Sequence, residues 1–210
     1  MEVFVDDKRV DEAFVGDGAV EDALRHVQGN LCTPGQVVIG LKCDGRVVSS
    51  GAMAATLGRP AASFNRLEVL TGNKKTLVTD AMGQASACLT ETAGGCQHVA
   101  ELLTGGRIAE GAEALGECLR IWQQIHESVA RSIEMLQLDP AGMAINGEPM
   151  VELISRPKEA LLQVRDALRA QDYVLLADLL RYEFQEVTDR WHSILTKIRQ
   201  EAEDLADRPQ

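Results

Sequence analysis

The sequence has no run of about 18 apolar residues, the length that a membrane-spanning helix would need. It also has no cluster of Lys and Arg, and its net charge is -11. Proteins that bind a phosphate backbone concentrate cations on one face, so this charge argues against a nucleic-acid partner. The first residues, MEVFVDDKRV, carry acids where a secretory signal would carry cations before an apolar stretch. We therefore expect a cytoplasmic protein without a membrane span.

Motifs of the common enzyme classes are missing as well. The chain contains no GxSxG nucleophile elbow, no GxxxxGK[ST] phosphate loop and no Glu-x-x-His pair of the kind that binds iron in helical bundles. The five cysteines are odd in number and widely spaced, which favours buried free thiols over a disulfide framework. These absences predict a protein that is not an enzyme and that binds no metal and no cofactor.

Residues 1–72 carry the signals of a small α+β domain. Alternating residues in MEVFVD and RVDEAFV predict two strands that turn at Asp7-Lys8. GDGAVEDALRHVQGN then predicts a helix with an apolar stripe of Val20, Leu24 and Val27. Three further strands are predicted in VVIGLKC, RVVSS and RLEVLTG, the first two joined by a tight turn at Asp44-Gly45.

This order of strands and helix resembles that of a ubiquitin-like β-grasp module, which implies one helix lying across a mixed sheet. Conjugated or sulfur-carrying members of that family end in a free Gly-Gly, whereas here the last strand continues into TGNKKTLV. The resemblance therefore implies a fused adaptor domain. A small cap that keeps the helical part in solution is the alternative.

From Thr76 onward the apolar period changes to about three and a half residues, which predicts long helices. In two stretches, mostly apolar residues recur at alternating intervals of four and three positions. Each stretch predicts a helix with one buried stripe of side chains, which we call its seam. The predicted seams are Ile108, Ala112, Leu115, Leu119, Trp122, His126, Val129 and Ile133 in the first stretch, and Tyr173, Ala177, Leu180, Phe184, Val187, Trp191, Ile194 and Ile198 in the second.

Each seam helix is preceded by another predicted helix, at 77–104 and 156–170, with turn residues TGG and AQD between them. A single helical hairpin cannot bury its seam in water, so residues 73–210 are predicted to stack two hairpins into an all-α four-helix bundle. The halves, 77–137 and 150–206, have the character of an internal duplication. Pro and Gly residues at 139–149 predict an irregular linker between them.

The last helix is apolar on most of its circumference in YVLLADLLRYEF. Leu175, Leu176, Leu179 and Tyr182 widen this apolar surface beyond a narrow seam. Either the helix is central in the bundle, or these four residues offer a groove to a partner. Acidic bundles with short hairpin turns are similar to bacterial export chaperones that hold flagellar or secreted subunits.

Three functional hypotheses follow. The favoured one is a non-enzymatic adaptor, chaperone or regulatory protein whose bundle and β-grasp surfaces bind another protein, such as a helix or a secreted subunit. The alternative is a metal- or ligand-binding enzyme with a site between the domains. The third hypothesis is a purely homo-oligomeric structural protein, such as a homodimer, whose apolar last helix pairs with a copy of itself. The candidate site of the enzyme would use Cys88, Cys96 and His98, or Glu117, Glu183 and His126.

Overall fold

A computed structural model of the chain describes residues 1–10 and 18–207 and has a mixed, helix-rich α+β structure. As the sequence predicted, a strand-rich region comes first and a helical region follows. The chain divides into two compact units, Met1–Leu77 and Val78–Gln210. The end of the predicted strand in RVDEAFV and the predicted helix start at Asp17 lie outside the described residues.

The first unit contains a five-stranded sheet with the order β2-β1-β5-β3-β4. Its strands β1 to β5 are Glu2–Val5, Lys8–Val10, Gln36–Cys43, Arg46–Val47 and Arg66–Asn73. The central pair, β1 and β5, is parallel and aligns Val3 with Leu67, and the other pairs are antiparallel. Because Val3, Leu67 and Leu41 point to the same face, this pairing assembles an apolar layer on one side of the sheet.

Two tight turns join neighbouring strands of the sheet. The predicted turn at Asp44-Gly45 is confirmed, with φ of 48° and 79°. The predicted turn at Asp7-Lys8 is wrong by one residue, since Asp6 and Asp7 have the positive φ values. The Asp6 carboxylate accepts hydrogen bonds from the backbone N–H of Thr71, at 2.8 Å, and from its hydroxyl. Aspartate tolerates the left-handed conformation, and these bonds to β5 hold the turn in this register.

Two helices accompany the sheet. Helix α1, Val20–His26, continues through a π turn at Val27–Leu31, and its buried Val20 and Val27 pack into the apolar layer. Helix α2, Ser50–Leu57, was not predicted. The strand predicted at RVVSS is wrong in length, since only Arg46–Val47 pair in the sheet and Ser50 already belongs to α2.

The second unit is built from helices. Their bounds are Lys74–Thr104 for α3, Ile108–Leu136 for α4, Met150–Ser155 for α5, Pro157–Ala170 for α6, Tyr173–Asp178 for α7 and Phe184–Asp207 for α8. Helices α7 and α8 are joined by a π turn at Leu179–Glu183, so the chain stays helical from Tyr173 to Asp207. One apolar core contains buried residues of α3, α4, α5, α6 and α8.

Every second position of the predicted α4 seam is wrong by one residue, because the preceding residue is the buried one. Ala112 and His126 are exposed, whereas Gly111, Cys118, Ile125 and Ser132 are buried. The buried residues still step by four and three, and they are Gly111, Leu115, Cys118, Trp122, Ile125, Val129, Ser132 and Leu136. Both series fit a period of three and a half, and only the neighbouring helices decide which one faces the core.

The segment at 139–149 is not the irregular linker that its Pro and Gly residues predicted. Strands β6, Ala144–Ile145, and β7, Glu148–Pro149, form a small hairpin around Asn146-Gly147, whose φ values are 54° and 86°. Asn-Gly is the strongest short-range signal for such a turn. The hairpin leads directly into α5, and the N–H of Met150 donates to the carbonyl of Met143 at 2.9 Å.

Candidate functional site

The structure divides the four residues that the sequence placed on one surface. Leu176 and Leu179 are buried, with 0% and 8% of their surface exposed. Leu175 and Tyr182 are exposed, by 47% and 70%. Val174, which is not among the four predicted residues, is also 70% exposed. We call Val174, Leu175 and Tyr182 the apolar face.

The π turn explains this division. Its wider winding places Leu179 and Leu180 side by side in the core and leaves Tyr182 in solvent. At the other end, the Asp172 carboxylate caps α7 by accepting from the N–H of Leu175 at 2.9 Å. Leu175 and Tyr182 are therefore fixed about two helical turns apart on a continuous helical segment.

Acidic side chains lie close to the apolar face in the sequence. Asp172, Asp178 and Glu183 are all exposed. Within the described part of the chain, neither Asp178 nor Glu183 has a cation at ion-pair distance. The one basic residue inside this stretch, Arg181, donates to the hydroxyl of Thr104 at 3.4 Å. The apolar face is thus bordered by negative charge that the protein does not itself neutralise.

A cleft of about 220 Å³ lies between α5 and α6 on one side and the π turn and α8 on the other. Its apolar lining consists of Leu153, Ala160, Val187 and Trp191, and we call it the Trp191 cleft. Glu183 belongs to its rim and follows Tyr182 in the sequence. The π turn therefore contributes neighbouring residues to the apolar face and to the cleft.

The charged groups at the cleft are unevenly paired. Both rim cations are engaged by Glu148, whose Oε2 lies 3.4 Å from Nη2 of Arg156 and 3.9 Å from Nη1 of Arg190. Arg190 also pairs with Glu186. Two rim carboxylates, Glu159 and Glu183, have no ion-pair partner among the described residues. The rim consequently offers free hydrogen-bond acceptors and negative charge.

The structure does not bring together the residues of the alternative enzyme hypothesis. Cys96 is buried in the core of the second unit, whereas His98 is exposed on the same helix. The Glu117 carboxylate pairs with Arg120, and His126 is exposed beside Trp191, their ring centroids 5.7 Å apart. Across residues 1–10 and 18–207, no group of three or more His, Cys, Asp or Glu side chains is placed to hold a metal ion.

Cys96 and Cys118 form a buried pair of free thiols between α3 and α4. A hydrogen bond with Cys118, together with burial, raises the pKa of the Cys96 thiol. The same hydrogen bond lowers the pKa of Cys118, since it stabilises a thiolate at that position. Cys32 and Cys88 are only half-buried. The pair lies in the helical core, away from solvent.

Most of the second unit matches a known protein family. Residues 80–194 match the family described as a domain of unknown function, DUF8042. That range contains α4, α5, α6, α7, the apolar face and the Trp191 cleft. No curated protein and no solved structure matches the chain. None of the described helices combines the length and the apolar character that crossing a membrane requires. Because the match covers more than half of the sequence, the protein belongs to the DUF8042 family.

Proposed function

We propose that this protein is a non-enzymatic adaptor or chaperone-like protein that binds another protein through its apolar face. The observation that carries the proposal is the exposure of Val174 and Tyr182, each 70% accessible, on one continuous helical segment. Fully burying a large apolar side chain stabilises a complex by about 1.5–3 kcal/mol. A partner that covers these residues would gain this energy without reordering a loop.

The placement of the apolar face supports a binding role over a packing role. The core beneath it is already filled by Leu176, Leu179 and Leu180, which are 0%, 8% and 1% exposed. The outward residues are therefore not needed to complete the core. Exposed aromatic residues such as Tyr182 are enriched at the centres of protein interfaces.

We also propose finer descriptions of the two units. The order β2-β1-β5-β3-β4, with a parallel central pair and α1 packed on one face, supports the β-grasp arrangement predicted for residues 1–72. The shared core of α3, α4, α6 and α8 supports a four-helix bundle. In this description the bundle carries the binding surface and the β-grasp unit is a fused adaptor domain.

Photocrosslinking in the cells that contain this protein tests the proposed function. Tyr182 is replaced by the photoreactive residue p-benzoylphenylalanine, and the crosslinked products are identified by mass spectrometry. Val47, which is also 70% exposed but lies in the first unit, carries the same probe as the matched control. We expect one specific partner to crosslink from position 182 and not from position 47.

A second variant tests whether the crosslinked partner binds at the apolar face. Adding Leu175→Glu to the protein with the probe at position 182 should abolish the product, because Leu175 is 47% exposed on the same face. Circular dichroism checks that this variant keeps its helical content. The proposal fails if both probe positions give the same products, or if the only product at position 182 is a second copy of this chain, which indicates a homodimer.

A further inference from the structure

From the proposed function and the charges around the apolar face, we infer that the partner segment is a basic amphipathic helix. Its apolar side chains lie on Val174, Leu175 and Tyr182, and one of its Lys or Arg side chains enters the Trp191 cleft. This inference rests on the proposed function and adds the chemistry of the partner.

The charges at the rim of the Trp191 cleft favour a basic partner. Glu159 and Glu183 face the cleft without an ion-pair partner among the described residues. Both cations at the rim, Arg156 and Arg190, are already engaged by Glu148. An acidic partner would therefore meet unpaired like charges, whereas a basic partner finds free carboxylates. The net charge of -11 favours the same partner at longer range, by steering its approach.

The size and the lining of the Trp191 cleft fit a single Lys or Arg side chain. Its volume of about 220 Å³ matches one long side chain, not a folded element. The apolar lining from Leu153, Ala160 and Val187 suits the methylene stem of Lys or Arg, while the charged head stays at the rim with Glu159 and Glu183. Neutral side chains would fill the lining but leave both carboxylates without a counterion.

The apolar face and the cleft share one segment of the chain. Tyr182 of the apolar face and Glu183 of the cleft rim are consecutive residues of the π turn, so a single ligand can contact both. Val174, Leu175 and Tyr182 lie along one helical segment of about two turns. A helix that presents apolar residues at spacings of three, four and seven fits a strip of this length.

A synthetic peptide is the probe for this inference. It is an amphipathic helix of about 18 residues with a Leu face flanked by Arg, which corresponds to five helical turns. A second peptide carries Glu in place of every Arg, and a third carries Ser in place of every Leu. Binding of each fluorescently labelled peptide to the full chain is measured by anisotropy at low and high salt.

Two double variants with equal net charge separate site binding from general attraction. Glu159→Gln with Glu183→Gln removes the unpaired carboxylates of the cleft. Glu113→Gln with Glu134→Gln removes two exposed carboxylates of α4. We expect the cleft variant to weaken binding of the Arg peptide about tenfold, because charge complementarity is lost at the contact itself. The α4 variant should change it by less than about twofold, since exposed charges away from the site are screened.

The inference is overturned if the Arg peptide binds no better than the Glu or Ser peptide, or if both double variants weaken binding equally. The crosslink from position 182 does not depend on the charge of the partner. A crosslinked partner with an acidic contact segment would thus contradict the basic helix and leave the proposed function standing. The absence of any specific crosslink from position 182 in the protein without further substitutions would contradict the proposed function itself.

Discussion

The indole rings of Trp122 and Trp191 pack edge to face, with their centroids 5.2 Å apart and an interplanar angle of 80°. Trp122 lies on α4 and Trp191 on α8, so the contact joins the two helices at the centre of the core. The ring of Phe184 also meets Trp122 edge to face, at 6.2 Å. Such a pair contributes about 0.5–1.5 kcal/mol beyond the area that it buries.

Replacing Trp191 by alanine should destabilise the protein strongly. Trp191 is 0% exposed, and removing a buried aromatic side chain costs about 3–5 kcal/mol through lost transfer energy and an unfilled cavity. Urea unfolding followed by circular dichroism measures the loss. Tyr182→Ala is the control, since its side chain is 70% exposed and the expected change is within about 0.5 kcal/mol. Equal losses in the two variants would contradict this account of the core.

Two glycines of α4 should respond in opposite ways to alanine. A methyl group on Gly111 would lie 2.8 Å from Cδ2 of Leu103, closer than packed carbons allow, whereas Gly116 has open space at that point. Gly116→Ala should stabilise by about 0.4–1 kcal/mol through the entropy of the unfolded chain. In Gly111→Ala, overpacking against Leu103 should outweigh this entropic stabilisation and destabilise the protein by about 1–3 kcal/mol. Thermal unfolding of both variants checks the difference, and equal midpoints would show that α4 does not approach Leu103 this closely.

The cysteines should differ in their reaction with a maleimide in the native state. Cys96 and Cys118 are 3% and 6% exposed, and the pKa of Cys96 is raised, so little of its reactive thiolate is available. Cys32 and Cys88 are half-buried. Mass spectrometry of timed reactions should find Cys88 and Cys32 modified first, and Cys96 and Cys118 only after denaturant is added. Modification of Cys96 at the rate of Cys88 in native buffer would contradict the burial of this pair.

Glu68 should make the first unit sensitive to acid. Its side chain is buried, with Oε1 2.5 Å from Nζ of Lys42 and Oε2 3.2 Å from Nη2 of Arg66. The hydrogen bond from Lys42 and, to a lesser extent, the charge of Arg66 hold the pKa of the Glu68 carboxyl below its usual range. A depressed folded-state pKa contributes stability above the unfolded pKa, and this contribution disappears as the pH falls through the folded value. Glu68→Gln should therefore lower the melting temperature at neutral pH, and the difference from wild type should shrink on acidification.

Melting curves of the full chain from about pH 7 to about pH 3 test this dependence, across the range in which carboxylates titrate. The matched control is Glu21→Gln, because Glu21 pairs with Arg25 on the exposed surface of α1. Exposed pairs contribute little, so this variant should follow wild type at every pH. A Glu68→Gln effect that does not change with pH would show that the loss comes from packing and not from ionisation.

Features governed by short-range chemistry could be predicted from the sequence. Asp44-Gly45 forms its turn because Asp and Gly adopt positive φ at low cost, whatever the rest of the chain does. The same chemistry forms the β6–β7 hairpin at Asn146-Gly147, although the nearby Pro and Gly residues predict an irregular linker. The helical period of the apolar residues also predicts α3, α4, α6 and α8.

The residue pattern alone determined the order of the sheet strands and the long helices, because turn propensities and apolar periods act within a few residues, but it did not determine the short helix α2 or the β6–β7 hairpin. The tertiary structure decided which side of each helix is buried. On α4, Ile125 faces the core and its neighbour His126 does not, and after α7 the π turn buries Leu179 while Tyr182 stays in solvent. A helix that is apolar on most of its surface satisfies several orientations equally well, so the choice depends on packing against residues that are distant in the sequence.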